Sequence, residues 1–202
     1  MTFTRRYFLR TTALALTGAI ARPTPAREAP SGGPVNPALL RRALDALERH
    51  GGRILHRDFA AIADFSLPSR TPRFYLLNLA DGSATSHLVA HGRGSDPAHT
   101  GWLERFSNEM RSRATSAGAY LTEELYVGEH GRSMRLDGLD PTNDNAASRA
   151  IVVHGAWYVS EQVVAQHGML GRSEGCLAVA DSSVGEVLHK LGPGRLIYAD
   201  KA

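Results

Sequence analysis

From residue 73 onward this 202-residue chain reads as short β-rich runs divided by glycine turns. The run "RFYLLNLADGSATSHLVAHG" (73–92) has two such halves about Asp81-Gly82, a dipeptide suited to a tight hairpin turn. The run "GAYLTEELYVGEHGRSMRLDGL" (118–139) repeats the pattern about Gly128–Gly131. "RAIVVHG" (149–155) is short and largely apolar, as a buried strand is, and "RLIYA" (195–199) reads as a closing strand. Helical signals are fewer. Asn36-Pro37 supplies a cap and a first-turn proline, Leu40, Ala43, Leu44 and Leu47 follow at helical spacing, and Gly51-Gly52 stop the run. This predicts a helix over 37–50 with its apolar stripe on the domain surface. Residues 160–167 are expected as a short helix, Asp181 as the cap of another to about 191, and the Arg/Glu run 104–113 as a solvated helix face. No long repeat, heptad or second domain is visible. The fold class expected is mainly β, sandwich- or barrel-like, with a few short helices.

The N-terminus reads differently. "MTFTRRYFLRTTALALTGAIA" places Arg5-Arg6 and Phe8-Leu9 before an apolar run too short to span a membrane, which needs about 20 residues. It fits an export leader of twin-arginine type over 1–26, with Ala19-Ile20-Ala21 or Thr24-Pro25-Ala26 as the cleavage site. Residues 27–35 then form a flexible Pro/Gly-rich linker to a domain over 36–202. The expected destination is the periplasm or cell envelope. Arg5, Arg6, Arg10 and Arg22 precede residue 27 with no acidic residue among them, so losing the leader takes the formal net charge from +3 to −1. The basic balance belongs to the leader, and neither a nucleic-acid partner nor a membrane contact beyond the leader is implied.

Cys176 is the chain's sole cysteine, so no internal disulfide can form and the fold must stand on its core. In an oxidising compartment such a thiol is either paired between chains or used. It sits in "GRSEGC", and His154 ends the apolar run 22 residues earlier, followed at once by Gly155. A thiol with a pKa of about 8.5 needs a base or a positive charge to become nucleophilic. An imidazole can take that proton, forming a thiolate–imidazolium pair, and return it to a leaving amine. Backbone N–H groups of Gly175 and Cys176 can share one space as an oxyanion hole, and the Gly155 carbonyl is free to orient the imidazole.

"AIVVHGAWYVS" followed by "LGRSEGCLAV" resembles the murein L,D-transpeptidase catalytic-domain family, the YkuD-like cysteine enzymes of bacterial cell walls. The segments "HGRGSD" (91–96), "RFSNE" (105–109), 116–140 and "NDNAASRA" (143–150) extend the likeness to about residues 70–200. The resemblance implies Cys176 as nucleophile on an amide between an L- and a D-centre of a peptidoglycan stem peptide. It implies His154 as base and then acid, Gly155 as its orienter, and Gly175 and Cys176 as oxyanion donors. A diaminopimelate amine would resolve the thioester to give a crosslink or an attached protein; water would give L,D-carboxypeptidase trimming. A non-catalytic wall-binding relative is the alternative of another class. No metal or organic cofactor is implied; no H-E-x-x-H occurs.

Two departures stand out. The better-known pattern has histidine directly before Gly-Cys, where this chain has Glu174, and an arginine soon after, where it has Leu177 and Ala178. A carboxylate beside a thiolate raises the thiol pKa, so Glu174 is expected to point outward or to pair with Arg172. Arg172 is otherwise a stem-carboxylate contact or a solvated side chain, and Ser173 a turn-forming residue. Tyr158 and Trp157 are candidates for a substrate groove, with core packing the favoured reading. His91 is assigned to a loop, and Arg149 and Asn143-Asp144-Asn145 to fixing loops around the site.

Overall fold

Asn36 opens the first helix as its sequence predicts: its Oδ1 accepts the Ala38 N–H at 2.9 Å, and Pro37 takes the first helical position. The computed structural model describes residues 35–202, so the leader and the linker up to residue 34 lie outside the described residues. Val35, placed in the linker by the sequence, is packed into the domain. The helix, α1 (Pro37–Arg49), buries Leu39, Leu40, Ala43, Ala46 and Leu47. Its stripe therefore does not stay on the surface but packs on one sheet face, against Ala60, Ile62, Tyr75, Leu77, Leu196 and Tyr198. Burying each large apolar side chain contributes about 1.5–3 kcal/mol, which is why the stripe turns inward.

Nine strands form one sheet: β1 (Phe59–Asp64), β2 (Phe74–Asn78), β3 (Ala84–His87), β4 (Val89–Ala90), β5 (Gly118–Gly128), β6 (Gly131–Gly138), β7 (Val152–Ala156), β8 (Leu177–Ala180) and β9 (Leu196–Asp200). Their order across the sheet is β3-β2-β1-β9-β5-β6-β7-β8-β4. The two ends of that order are consecutive in sequence, with Leu88 alone between β3 and β4. One continuous stretch thus pairs with β2 at one end and with β8 at the other. That arrangement curls the sheet towards a closed barrel and leaves little open edge. The main core accordingly joins Ala61, Phe65 and Phe74 from one end with Val89, Val153, Leu177 and Val179 from the other. It is closed by Val187, Leu188 and Leu191 of α3 (Asp181–Leu191). The chain is mainly β with few helices, as its glycine-punctuated runs predict.

Both glycine hairpins form, β2–β3 about Asp81-Gly82 and β5–β6 with Gly128 opposite Gly131. The short helix α2 (Glu161–His167) is capped by Ser160, whose Oγ accepts the Val163 N–H at 3.2 Å, and ends at left-handed Gly168. Three details differ from the sequence reading. Asp181 is the first helical residue of α3, and Ala180 occupies the cap position without a side-chain bond. Residues 104–113 form no helix, because Arg111 and Arg113 adopt left-handed backbone (φ 63° and 56°) and break any helical run. Trp157 is 78% exposed rather than core.

Candidate active site

β7 and β8 run parallel, with Val153 opposite Leu177 and His154 opposite Ala178. Cys176 immediately precedes β8, so the register carries it to the level of Val152, one alternation from His154 on the same face. The apolar run "AIVV" makes β7 a buried strand, and the crossover through α2 returns the chain beside it. The histidine and cysteine, 22 residues apart, are thereby brought to neighbouring strands.

His154 is nearly buried, at 2% exposure. Its Nδ1 lies 2.8 Å from the Gly155 carbonyl oxygen. A carbonyl only accepts, so Nδ1 carries the proton and Nε2 keeps its lone pair. Burial lowers the His154 pKa, opposed by the Gly155 bond; the nearby His130 lowers it further and Asp181 raises it. Asp181, removed from the cap role, lies against this turn: a Cβ on Gly155 would come within 2.6 Å of its Oδ1.

Cys176 is half-buried, and its Sγ points to the Ala150 carbonyl at 3.6 Å. Burial pushes the thiol pKa up. The Val152 N–H, the Arg149 guanidinium and the Cys176 N–H pull it down, and Glu174 adds a small rise. Burial thus pushes thiol and imidazole both towards their neutral forms. Among the described residues no hydrogen bond joins the two side chains. Ala150 itself is left-handed (φ 52°), an unusual conformation for a residue with a Cβ, and it is this carbonyl that faces the sulfur.

The turn that holds Cys176 is built from its own backbone and from loop 91–96. Ser173 N–H donates to the His91 carbonyl (3.0 Å), and Arg93 N–H to the Ser173 carbonyl (2.8 Å). Ser173 Oγ donates to the Cys176 carbonyl at 2.7 Å and accepts the Gly175 N–H at 3.1 Å. Ser173 is the turn-forming residue expected. The Gly175 N–H, expected as an oxyanion donor, is already engaged by that hydroxyl. Arg172 does not meet Glu174: its Nη1 donates to the carbonyls of Asp96 and Pro97. Glu174 instead points outward, 57% exposed, and pairs with Arg93 and Arg113. The reason is chain direction: the bridge between Gly92 and Ser173 lays Arg93 beside the turn, while Arg172 is drawn to the loop behind it.

Behind the turn lies a buried polar chain that the sequence did not reveal. Arg73, fully buried, donates to the Val89 and Leu67 carbonyls and to His91 Nδ1 (2.8 Å). His91 Nε2 faces Asp96 Oδ2 at 3.4 Å, and Asp96 accepts the N–H groups of Thr100 and Gly101. His91 is in a loop as expected, but as a structural link at 1% exposure. Arg149 ties the loop 107–116 through Ser107, Ser112, Ala114 and Ser116. Asn143 holds the Ala119 carbonyl at 2.7 Å, and Asn145 bonds to Asn108. Tyr158 is half-buried, with its phenol pKa pushed up to about 12 by burial and by the nearby Cys176 and Glu174.

The family model of the L,D-transpeptidase catalytic domain matches residues 33–199, which include the β7–β8 pair and its turn. The chain belongs to this family. Among solved structures it is similar in fold to an L,D-transpeptidase from Mycobacterium tuberculosis H37Rv. The identity is 14%, over 71% of this chain and 58% of that one, with a TM-score of 0.46. An L,D-transpeptidase from Mycobacterium smegmatis gives 13%, 71%, 58% and 0.44. L,D-transpeptidase 3 from Mycobacterium tuberculosis, in complex with a faropenem-derived adduct, gives 13%, 71%, 60% and 0.45. The chain spans less than two thirds of the length of each. A comparison with curated proteins finds no match.

Within this L,D-transpeptidase domain, the residue that sequence reasoning passed over is His130. It sits at the tip of the β5–β6 hairpin and lies face to face with His154, ring centroids 4.3 Å apart and planes 22° off parallel. The available signal was a histidine between two glycines, in "GEHG", which was read only as a turn.

Proposed function

We propose that the chain is an exported cysteine-nucleophile L,D-transpeptidase acting on peptidoglycan stem peptides through a thioester acyl-enzyme. The observation that carries this reading is the parallel β7–β8 register, which sets Cys176 beside a histidine whose free Nε2 is dictated by the Nδ1–Gly155 bond. On substrate binding, Cys176 Sγ turns from the Ala150 carbonyl and passes its proton to His154 Nε2 as sulfur attacks the stem carbonyl. The new carbon–sulfur bond forms a tetrahedral oxyanion, held by the Cys176 N–H. The C–N bond breaks, His154 returns the proton to the departing D-residue amine, and a thioester remains. An acceptor amine then attacks the thioester, losing a proton to His154; the peptide bond forms and the proton returns to the sulfur. Water in place of the amine gives trimming. The push of both groups towards neutrality by burial suits this scheme, because it favours creating charge when the carbonyl is in place.

The leader 1–26 supports export to the periplasm or envelope, and no described helix is long and apolar enough to cross a membrane. Incubation of the mature chain with defined tetrapeptide-stem muropeptides tests the reading. Crosslinked dimers support transpeptidation, and tripeptide stems alone support trimming. Sacculus binding without either product, and unaffected by Cys176→Ala, supports a wall-binding relative instead.

A further inference from the structure

We infer that His130 is a positioning residue for His154, holding the imidazole plane and closing it from water through the stack that the β5–β6 hairpin tip makes over it. This rests on the catalytic reading of His154 given above.

The geometry begins in the register. Ser133 of β6 lies opposite His154 of β7, and three residues earlier the chain turns through Glu129-His130, with left-handed Gly131 closing the turn. The outer half of the hairpin leaves the core. Val127 is 79% exposed and Leu125 is also exposed, whereas residues Gly118–Thr122 at its base are buried. This projecting arm reaches the site through His130. The outer ring is exposed and the inner one nearly buried, so the contact covers His154 on the side away from the core. A single bond from Nδ1 to the Gly155 carbonyl fixes one atom of the ring but not its tilt. The stacked face supplies the second constraint, and the free Nε2 can then be aimed at the Cys176 side. Misplacing a base by about 1 Å can cost about a hundredfold in rate.

The stack also has an electrical consequence. The titratable groups that act on the His154 ring are His130 from the hairpin tip and Asp181 from the first turn of α3. His130 opposes an added proton on His154 and Asp181 favours it. Phenylalanine at 130 keeps the stacked face and removes the second imidazole's electrostatic influence, so the two effects separate.

The test uses the mature chain with His130→Ala and His130→Phe. Imidazole proton resonances are followed against pH, and His154 is assigned by the signal lost in His154→Gln. Steady-state turnover of tetrapeptide-stem muropeptides is measured alongside. The expected result is that His154 titrates at higher pH in both variants. For His130→Ala, kcat falls on the order of tenfold with KM within about twofold, a part of the roughly 10²–10⁴-fold that a positioned acid–base group contributes. His130→Phe, which also keeps the tip packed should the alanine variant fail to fold, recovers most of that loss. An unshifted His154 titration in both variants overturns the inference, as does wild-type kcat in His130→Ala. If no form of the chain, wild type included, turns over muropeptides, the proposed function fails while the titration still decides whether His130 governs His154.

Discussion

Gly92 and Gly175 meet backbone to backbone: a Cβ on Gly92 would lie 2.7 Å from the Gly175 Cα. Thr115 joins them, its Oγ1 accepting the Gly92 N–H at 2.9 Å and donating to the Gly175 carbonyl at 3.2 Å. Gly175 itself has φ +123°, and a Cβ there would strike the Ala114 carbonyl and Ile151 Cδ1, each at 2.8 Å. The turn that holds Cys176 is thus closed by contact between two residues without side chains.

Gly175→Ala is therefore expected to cost about 1–3 kcal/mol in backbone strain alone. Because the neighbours are backbone and core, the turn must shift and carry Cys176 with it. Chemical denaturation reads the stability loss, and kcat is expected to fall by about a hundredfold or more. A variant with native stability and native turnover would contradict this picture of the turn.

Glu174 stands two residues before Cys176 yet pairs with Arg93 and Arg113. Its effect on the thiol is the smallest of those raising or lowering it, after burial, the Val152 N–H and Arg149. Glu174→Gln is expected to lower the pH midpoint of Cys176 alkylation only slightly. A fall of about one pH unit, equivalent to about 1.4 kcal/mol, would show that the carboxylate acts on the sulfur directly. In both forms alkylation should keep rising above the pH range of an ordinary thiol, because burial holds the proton on.

The Arg73–His91–Asp96 chain makes stability depend on pH in one direction. Burial and then the Arg73 guanidinium push the His91 pKa down to about 4, against about 6.5 for an ordinary histidine. Between those values the unfolded chain binds more protons than the folded one. The stabilisation is therefore complete above pH 6.5 and is lost as pH falls towards 4, by up to about 3 kcal/mol. His154, lowered in the same direction, adds to the trend. Denaturant titrations at stepped pH should show a shallower slope for His91→Gln than for the wild type; equal slopes would remove His91 from the account.

The mainly β class was legible in the sequence, and the order of the strands was not. Cys176, His154 and Gly155 stood out as candidates because thiol, imidazole and glycine each have few reasons to stand in such places, and the structure brings them to neighbouring strands. The hairpins were legible because Asp-Gly and Gly-x-x-Gly turns are local signals. The strand β1, "FAAIAD", escaped because small residues with neither alternation nor bulk leave no periodic trace, and its pairing with β9 spans the whole domain. Closure through β3 and β4 is likewise a property of two distant partners, visible in neither strand alone. For Glu174 an outward orientation or a pairing with its sequence neighbour Arg172 was expected, and the outward one forms. The pairing that forms, with Arg93 and Arg113, depends on loops some 80 and 60 residues earlier that no local pattern reveals. His130 was hidden for the same reason, as its meeting with His154 is set by the β6–β7 register.

The account turns on a covalent bond between Cys176 and a substrate carbonyl, and intact-protein mass spectrometry reads that bond directly. The mature chain is incubated with a tetrapeptide-stem donor, or with a carbapenem as a slowly released acyl donor, then quenched in acid and digested. The account predicts a mass increase of one acyl group, localised to the peptide holding Cys176 and absent in Cys176→Ala. A chain that yields crosslinked or trimmed products without any adduct on Cys176, or that yields neither adduct nor product, would contradict it.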